Sequence, residues 1–477
     1  MRNTPAILIV FLSVSLFSTD SNAQKNNSSA LVVLTHVNVI DATGSPVQPD
    51  MTIVIKDNRI IDLNKSRIIK MPHGAEVLDE TGKYLIPGLW DMHVHIFNNG
   101  DDPSNRKPPN QYRFPLFIAN GVTGVRLMWV KLDEMPQVEL WRKQFAERPG
   151  TVPRIGAAGA LIDGPTSMWK YADIVSTADE ARQMVDKYKA GGVDFVKVYW
   201  ELSPETYFAI VDECRKQHIP FAGHVPNAVS ALDASDAGQK SIEHFTGIFE
   251  YCTSQEQELR KVQSKDWGPT YVKRMLDTYD KTKAARLFSH FKENGTWLCP
   301  TLLQPSIPED SIEKNERLKY IPKEETTRWQ QSTSQRNSSE LQKANQEKRR
   351  ELMVEVIGEM HRTGVRFLAG TDIGSYSFTV AGFSLLDQLV RFVAAGFTPM
   401  EALQTATINP AKFLGTSDSL GTVEKGKIAD MVLLEANPLE NIENVRLINA
   451  VFVNGKYLSK QTLQNMLLEV EDAADKK

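Results

Sequence analysis

The sequence predicts a (β/α)8 TIM barrel carrying a small composite β-sandwich built from both chain ends. Three observations predict it: short β-rich runs with turn signals near each terminus, apolar strands alternating with helical segments across the middle, and histidines recurring at the ends of those strands. At 477 residues the chain has room for a large barrel and an appendage. Its formal net charge of -4 supplies no strongly basic face, which excludes nucleic acid as a partner class and favours a small molecule or a peptide.

Taken in order, Arg2, the apolar run Ala6–Phe17 and the small residues Ser21 and Ala23 read as a cleavable secretory signal over residues 1–23. The run is too short to span a bilayer comfortably, so the expectation is a periplasmic or secreted protein with no stable membrane span after cleavage. Leu31–Ile40, Thr52–Ile61 and Ala75–Leu78 are β-rich runs separated by Asp-Asn and Thr-Gly turn signals, and Lys427–Leu434 and Ile448–Lys456 repeat the pattern near the other end. Residues 30–87 and 417–460 are therefore expected to complete one sandwich domain, with the barrel, 88–416, inserted between them.

The barrel strands are expected at Trp90–His95, Val122–Met128, Arg154–Ala160, Phe195–Tyr199, Pro220–His224, Ser241–Phe245, Trp297–Leu303 and Phe367–Asp372. Helix starts fit between them: a capping box over Thr177–Glu180, and proline at a first helical position in Ser203-Pro204 and Thr398-Pro399. Residues 305–350 are dense in Glu, Lys, Gln, Asn and Ser, and read as a polar helical insertion, a solvated surface feature in preference to a lid. Glu469–Lys477 reads as a frayed charged tail. Cys214, Cys252 and Cys299 are odd in number and form no CxxC pair, so all three are assigned structural roles.

Barrel enzymes carry their chemistry at the C-terminal ends of the strands, because the loops there surround one cavity. His93 and His95 end the first strand, and side chains at i and i+2 of a strand share a face, so both imidazoles can reach one metal ion. Lys197 lies in the fourth strand, while His224, His244 and Asp372 end the fifth, sixth and eighth. Each has an ordinary structural use when taken singly: a snorkelling lysine, a core histidine, a helix cap. Together they meet the demand of a two-metal hydrolase for imidazoles, a bridging anion and a carboxylate beside the attacking water. A bare ammonium at Lys197 would repel cations. A desolvated lysine can lose its proton, and the neutral amine can take up carbon dioxide as a carbamate, which has the charge and shape of a carboxylate. Tyr199 follows Lys197 by two residues on the same strand face; it is either a hydrogen-bond donor to a substrate carbonyl oxygen or a packing aromatic. His36, His73, His218, His290 and His361 fall away from strand ends and are assigned surface or packing roles.

With these residues, the sequence resembles the metal-dependent amidohydrolase superfamily, and more narrowly its branch of imidazolonepropionase-like proteins and Xaa-Pro or Xaa-Arg dipeptidases. The resemblance extends over nearly everything after the signal, including Gly421-Thr-Val-Glu-Lys-Gly-Lys-Ile-Ala-Asp-Met-Val. It implies that His93 and His95 bind the more buried of two divalent ions, that Lys197 is carboxylated and bridges them, and that His224 and His244 bind the second. It implies that Asp372 ligates the first ion and handles the proton. The ions are expected to be zinc, and the reaction hydrolysis of an amide bond in a dipeptide or N-acyl amino acid by a metal-bridging hydroxide. The alternatives are a cyclic-amide hydrolase, a mononuclear deaminase, which in this superfamily generally lacks the bridging lysine, or a catalytically silent exported binding protein. A homo-oligomer is left open. The chain departs from related dipeptidases after Asp372, where Ser375-Tyr-Ser-Phe-Thr-Val-Ala-Gly-Phe stands in place of a His-Gly pair followed by Glu-Leu, so the resemblance does not specify the substrate side chain.

Overall fold

Strand β1 (Leu31–Val39) serves three partners, and the first sheet grows from it. It runs antiparallel to β2 (Gln48–Lys56), which returns as β3 (Arg59–Lys65) through the two-residue turn Asp57-Asn58. Asp57 has a φ of 56°, the left-handed geometry such hairpins require. On its other edge β1 pairs in parallel first with β4 (Glu76–Asp79) and then with β5 (Tyr84–Pro87). The change of partner falls at His36, whose φ of 58° accompanies a register shift against β2, so a bulge lets one strand serve two neighbours. The coordinates are a computed structural model, which describes residues 31–98, 108–262, 264–302, 315–334, 339–375 and 377–475. The expected signal over 1–23 lies outside the described residues. Among the described residues no helix is long and apolar enough to cross a membrane.

The middle of the chain forms the barrel. Parallel strands β6 (Leu89–Val94), β7 (Val122–Leu127) and β8 (Arg154–Asp163) are followed by β9 (Asp173–Ile174), a short addition to β8. Then come β10 (Phe195–Val198), β11 (Phe221–Gly223), β12 (Ser241–Glu243), β13 (Trp297–Cys299) and β14 (Arg366–Phe367). Setting β9 aside, each strand pairs with the next in chain order. The segment after β14 closes the ring onto β6: Met92 N donates to Ala369 O at 2.9 Å, Asp372 N to His93 O at 2.8 Å and His95 N to Ile373 O at 2.9 Å. This is the predicted (β/α)8 barrel, and its closing seam joins the His93–His95 strand to the segment bearing Asp372. Side chains fill the interior. Gly124 and Gly156 make room for the Trp90 indole, which an added Cβ at either position would approach within 2.4 Å.

The helix starts behave as their sequences suggest, with one adjustment. Ser203 caps Pro204–Lys216 by accepting from Thr206 N, and Thr398 forms a reciprocal box with Glu401 at the start of Pro399–Thr405. Thr177 accepts from Glu180 N, but the Glu180 carboxylate reaches past it to Ser176 N at 2.7 Å, so the expected box over Thr177–Glu180 is only half closed.

One further segment differs from the sequence reading, and another is tied to the barrel more closely than its polarity suggests. The polar insertion, where described, is a 3-10 turn (Glu316–Tyr320) and two helices, Lys323–Ser334 and Glu340–Thr363. Its residues are mostly exposed or half-buried over 323–331 and 339–350, as expected of a solvated surface feature, but it is anchored: Tyr320 is buried with its ring stacked on Phe383, and Glu325 accepts from Tyr112 Oη at 2.8 Å and Arg113 Nη2 at 2.9 Å. Residues 305–314 and 335–338 of the insertion lie outside the described residues. The expected frayed tail is instead the end of a helix, Lys460–Asp475, which docks on the helix Arg113–Ala119. Leu463, Val470 and Ala474 are buried along it, and this helical spacing of apolar residues outweighs the surrounding charge.

The chain ends return to the first sheet. β15 (Met431–Leu434) pairs antiparallel with β5, β16 (Ile448–Val453) with β15, and β17 (Lys456–Ser459) with β16. One mixed sheet in the order β17-β16-β15-β5-β1-β2-β3 thus draws on both ends of the chain, around a core that includes Leu34, Ile53, Leu85, Met431 and Phe452. Cys214, Cys252 and Cys299 are free and buried.

Candidate metal centre

At the C-terminal mouth of the barrel the closing seam brings three of the predicted residues together: ligand atoms of His93, His95 and Asp372 all lie within 4.8 Å of one another. His95 Nε2 is 3.0 Å and His93 Nε2 3.3 Å from Asp372 Oδ1, while His244 Nε2 is 3.6 Å from Asp372 Oδ2. The His244 ring sits 4.5 Å from His93 and 5.0 Å from His224, centroid to centroid. Lys197 is buried and shares one cavity wall with His95, His224, His244 and Asp372. All six predicted ligand positions therefore converge on one place. The remaining histidines do not: His36 pairs with Asp50 at 2.8 Å and His361 stacks on Phe397, both away from the mouth.

The electrostatics suit metal ligands, which must be deprotonated to bind. Burial drives the pKa values of His93 and His224 well below the usual imidazole range and that of His244 to about 4, so these rings are neutral at neutral pH. Burial alone would raise Asp372, but His244, His95 and Lys197 outweigh it and hold the carboxyl below its ordinary value. Burial lowers Lys197 to about 8 against the opposing pull of Asp372 and Glu243, bringing its neutral amine within reach just above neutral pH.

Whether these residues fit a metal is tested by their unspent polar atoms. His93 Nε2 and both ring nitrogens of His224 are buried without a hydrogen-bond partner, and Asp372 Oδ1 faces only the ring nitrogens of His93 and His95. Burying such groups unpaired is costly, and a cluster of them around neutral imidazoles and a carboxylate is the donor set a divalent ion satisfies. The residues fit a divalent ion held by nitrogen and oxygen donors.

The supporting groups were less visible in the sequence. Glu243 Oε2 accepts from His93 Nδ1 at 2.7 Å, which leaves Nε2 as the free ring nitrogen. Its other oxygen accepts from Arg126 Nη2 at 2.8 Å and Ser241 Oγ at 2.6 Å. With both oxygens so engaged, Glu243 is a support for His93, although it also falls within ligand reach of His93 and Cys299. Asp91 joins the two sides of the seam: Oδ2 accepts from Thr371 Oγ1 at 2.6 Å, and Oδ1 from Thr371 N at 3.1 Å and His93 N at 3.2 Å. Burial pushes its pKa up to about 7. One signal could have found both: an acidic residue inside an apolar barrel strand is rarely buried unless paired. Glu243→Gln is expected to weaken metal binding by about 10–100-fold with the fold kept. Competition titration with a chromophoric chelator measures it, and unchanged affinity would remove Glu243 from the ligand's support.

The backbone is strained where these side chains sit. His244, Phe245, Thr301 and Asp372 all have φ between 46° and 64°, the left-handed region, which costs non-glycine residues energy and persists only where surroundings enforce it. Thr301 lies 2.6 Å from His244 Nδ1, so the strained loop after β13 helps orient that ring. The cavity in front has a volume of about 530 Å³, with Trp129, Trp169, Trp200, Phe249 and Trp267 in its wall. Arg328 and Arg349 of the insertion also line it, so that segment forms part of the wall. Tyr199 stands there as well, its ring stacked on His224 at 4.1 Å, its hydroxyl accepting from Trp169 Nε1 at 2.9 Å.

Residues 84–458 match the model of the Amidohydrolase family. An imidazolonepropionase from Thermoplasma volcanium is 30% identical over 105 residues, which is 21% of this chain and 26% of that protein. The aligned stretch thus spans about a quarter of the relative's length. Among solved structures, a Xaa-Pro dipeptidase with methionine bound in its active site has a TM-score of 0.64 at 20% identity, over 90% of this chain and 100% of that one. A bottromycin amidohydrolase has a TM-score of 0.71 at 21% identity, over 93% of this chain and 90% of the other. At these identities the structural likeness is one of fold.

Proposed function

The chain belongs to the Amidohydrolase family, and we propose that it is a metal-dependent hydrolase that cleaves the amide C–N bond of a dipeptide or an N-acyl amino acid. The observation that carries this reading is the convergence of unpartnered buried nitrogens from His93 and His224 with the Asp372 carboxylate at the mouth of the barrel. His93, His95 and Asp372 would hold one divalent ion, zinc in our reading, and His224 and His244 a second, with Lys197 between them as a carbamate. Bound there, the ions would lower the pKa of water and polarise a carbonyl oxygen.

The protein's own groups do the rest. Asp372 takes the proton of the attacking water and delivers it to the leaving nitrogen, acting first as general base and then as general acid. Tyr199 donates a hydrogen bond to the carbonyl oxygen as negative charge develops. The aromatic wall packs the substrate and keeps bulk water from the reacting groups, and a cavity of about 530 Å³ is of a size suited to a dipeptide. Residues 1–23 would direct export, and the reaction would then take place in the periplasm or outside the cell.

The test is to load the full-length protein with zinc in the presence of bicarbonate and screen dipeptide and N-acyl amino acid libraries for released amino groups. Cleavage of at least one class, with about two ions per chain by elemental analysis, is the expected result. Release of ammonia from a purine, or opening of a cyclic amide, with neither library cleaved would overturn the substrate class.

A further inference from the structure

The Tyr199 phenol is held in a way its own strand does not explain. Its oxygen accepts a hydrogen bond from Trp169 Nε1 at 2.9 Å, its ring stacks on His224 at 4.1 Å, and among the described residues its proton has no acceptor. The indole N–H is a donor only, so the phenol cannot turn its proton toward Trp169. Tyr199 lines the cavity it shares with Lys197, His224, His244 and Asp372, so a ligand there is where its proton can find an acceptor.

Trp169 is delivered by a loop with its own supports. After β8, Ser167 N donates to Gly164 O at 3.1 Å, Trp169 N to Ser167 Oγ at 3.1 Å and Ala172 N to Trp169 O at 3.0 Å. The buried Asp163 ties the base of this loop to the strand end carrying Tyr199, accepting from Gly164 N at 2.9 Å and Glu201 N at 2.7 Å. Gly164 has to be glycine, since a Cβ there would fall 1.7 Å from Glu201 O. The Trp169 indole also packs edge to face with Trp129 at 5.4 Å.

We propose that Trp169 is a positioning residue: its indole N–H fixes the Tyr199 hydroxyl as a donor aimed at the substrate carbonyl oxygen. The proposal rests on the hydrolase reading given above, in which Tyr199 donates to that oxygen. A substrate in its ground state gains little from the fixed donor, whereas an oxygen accumulating charge gains more, so the effect falls on turnover and not on binding.

The experiment compares three proteins on the best dipeptide or N-acyl amino acid from the screen: Trp169→Phe, a full-length chain with the benzothiophene isostere of tryptophan at 169, and Tyr199→Phe. The isostere keeps the ring's shape and removes only the N–H. Both changes at 169 are expected to lower kcat by about tenfold and leave KM within about twofold, and neither should add to the loss in a Tyr199→Phe background. In wild-type protein the indole N–H resonance of Trp169, assigned by its disappearance in Trp169→Phe, is expected to move when Tyr199 becomes phenylalanine. An isostere with wild-type kcat, or a resonance that does not move, overturns the proposal. If Tyr199→Phe alone leaves kcat unchanged, the donor role in the hydrolase reading falls and that of Trp169 with it; if Tyr199→Phe slows turnover and the isostere does not, only the proposal falls.

Discussion

Asp372→Asn is expected to give a folded protein that binds metal more weakly and turns over its substrate about 10²–10⁴-fold more slowly, the range a positioned proton-transfer group supplies. Asparagine has nearly the same volume, and the backbone bond from residue 372 N to His93 O, which helps close the barrel, does not involve the side chain. The lost charge is what matters. Asp372 is buried with His95 Nε2 at 3.0 Å and His93 Nε2 at 3.3 Å from one oxygen and His244 Nε2 at 3.6 Å from the other. An amide there can neither take a proton from water nor return one to the leaving nitrogen. Thermal unfolding should shift little, elemental analysis should report the metal that remains, and kcat on the best substrate should collapse. Turnover within about tenfold of wild type would remove Asp372 from the proton path.

If Lys197 carries the carbamate of the proposed two-ion site, Lys197→Ala is expected to reduce bound metal from about two ions to one or fewer per chain, and activity by at least about 10²-fold, because nothing else on β10 could replace that anion. A short carboxylate such as propionate should recover part of the activity in this variant, since it returns an oxygen anion to the space the carbamate would fill. Full metal content with undiminished turnover in Lys197→Ala would show that the lysine is only a buried neighbour. The wild-type protein supplies a pH test of the same idea. Carbamate formation needs the neutral amine, and burial lowers the Lys197 pKa to about 8, below its ordinary value. Below that pH the ammonium predominates and above it the amine, so metal uptake by metal-free protein in bicarbonate should slow as pH falls from about 8 toward 6. Uptake that is flat over that window, or faster at low pH, would contradict a carbamate.

Much of the barrel was legible because its strands are short apolar runs separated by helices with recognisable starts, signals that lie within a few residues of one another. Eight parallel strands start within a residue of where alternation placed them, but the last is only Arg366–Phe367 instead of Phe367–Asp372, so Asp372 stands on the seam segment that follows it, and Lys197 lies within its strand. The misreadings came where one local signal masked another. The charge of Glu469–Lys477 hid the apolar spacing that docks Lys460–Asp475, and although the insertion is helical and largely exposed as expected, its polarity gave no sign of the anchors Tyr320 and Glu325.

The sequence by itself determined the architecture, the histidine pair on one strand face and the set of residues able to hold metal, because periodicity and strand-end position are properties of short segments. Only the tertiary structure decided which groups support them. Glu243 orients His93 across 150 residues of chain, Asp91 meets Thr371 across 280, and Arg113 reaches Glu325 across 212. Such pairs leave no local pattern: a buried carboxylate must find a partner, but the choice of partner depends on how the barrel closes, and that closure is a contact between β6 and the segment after β14.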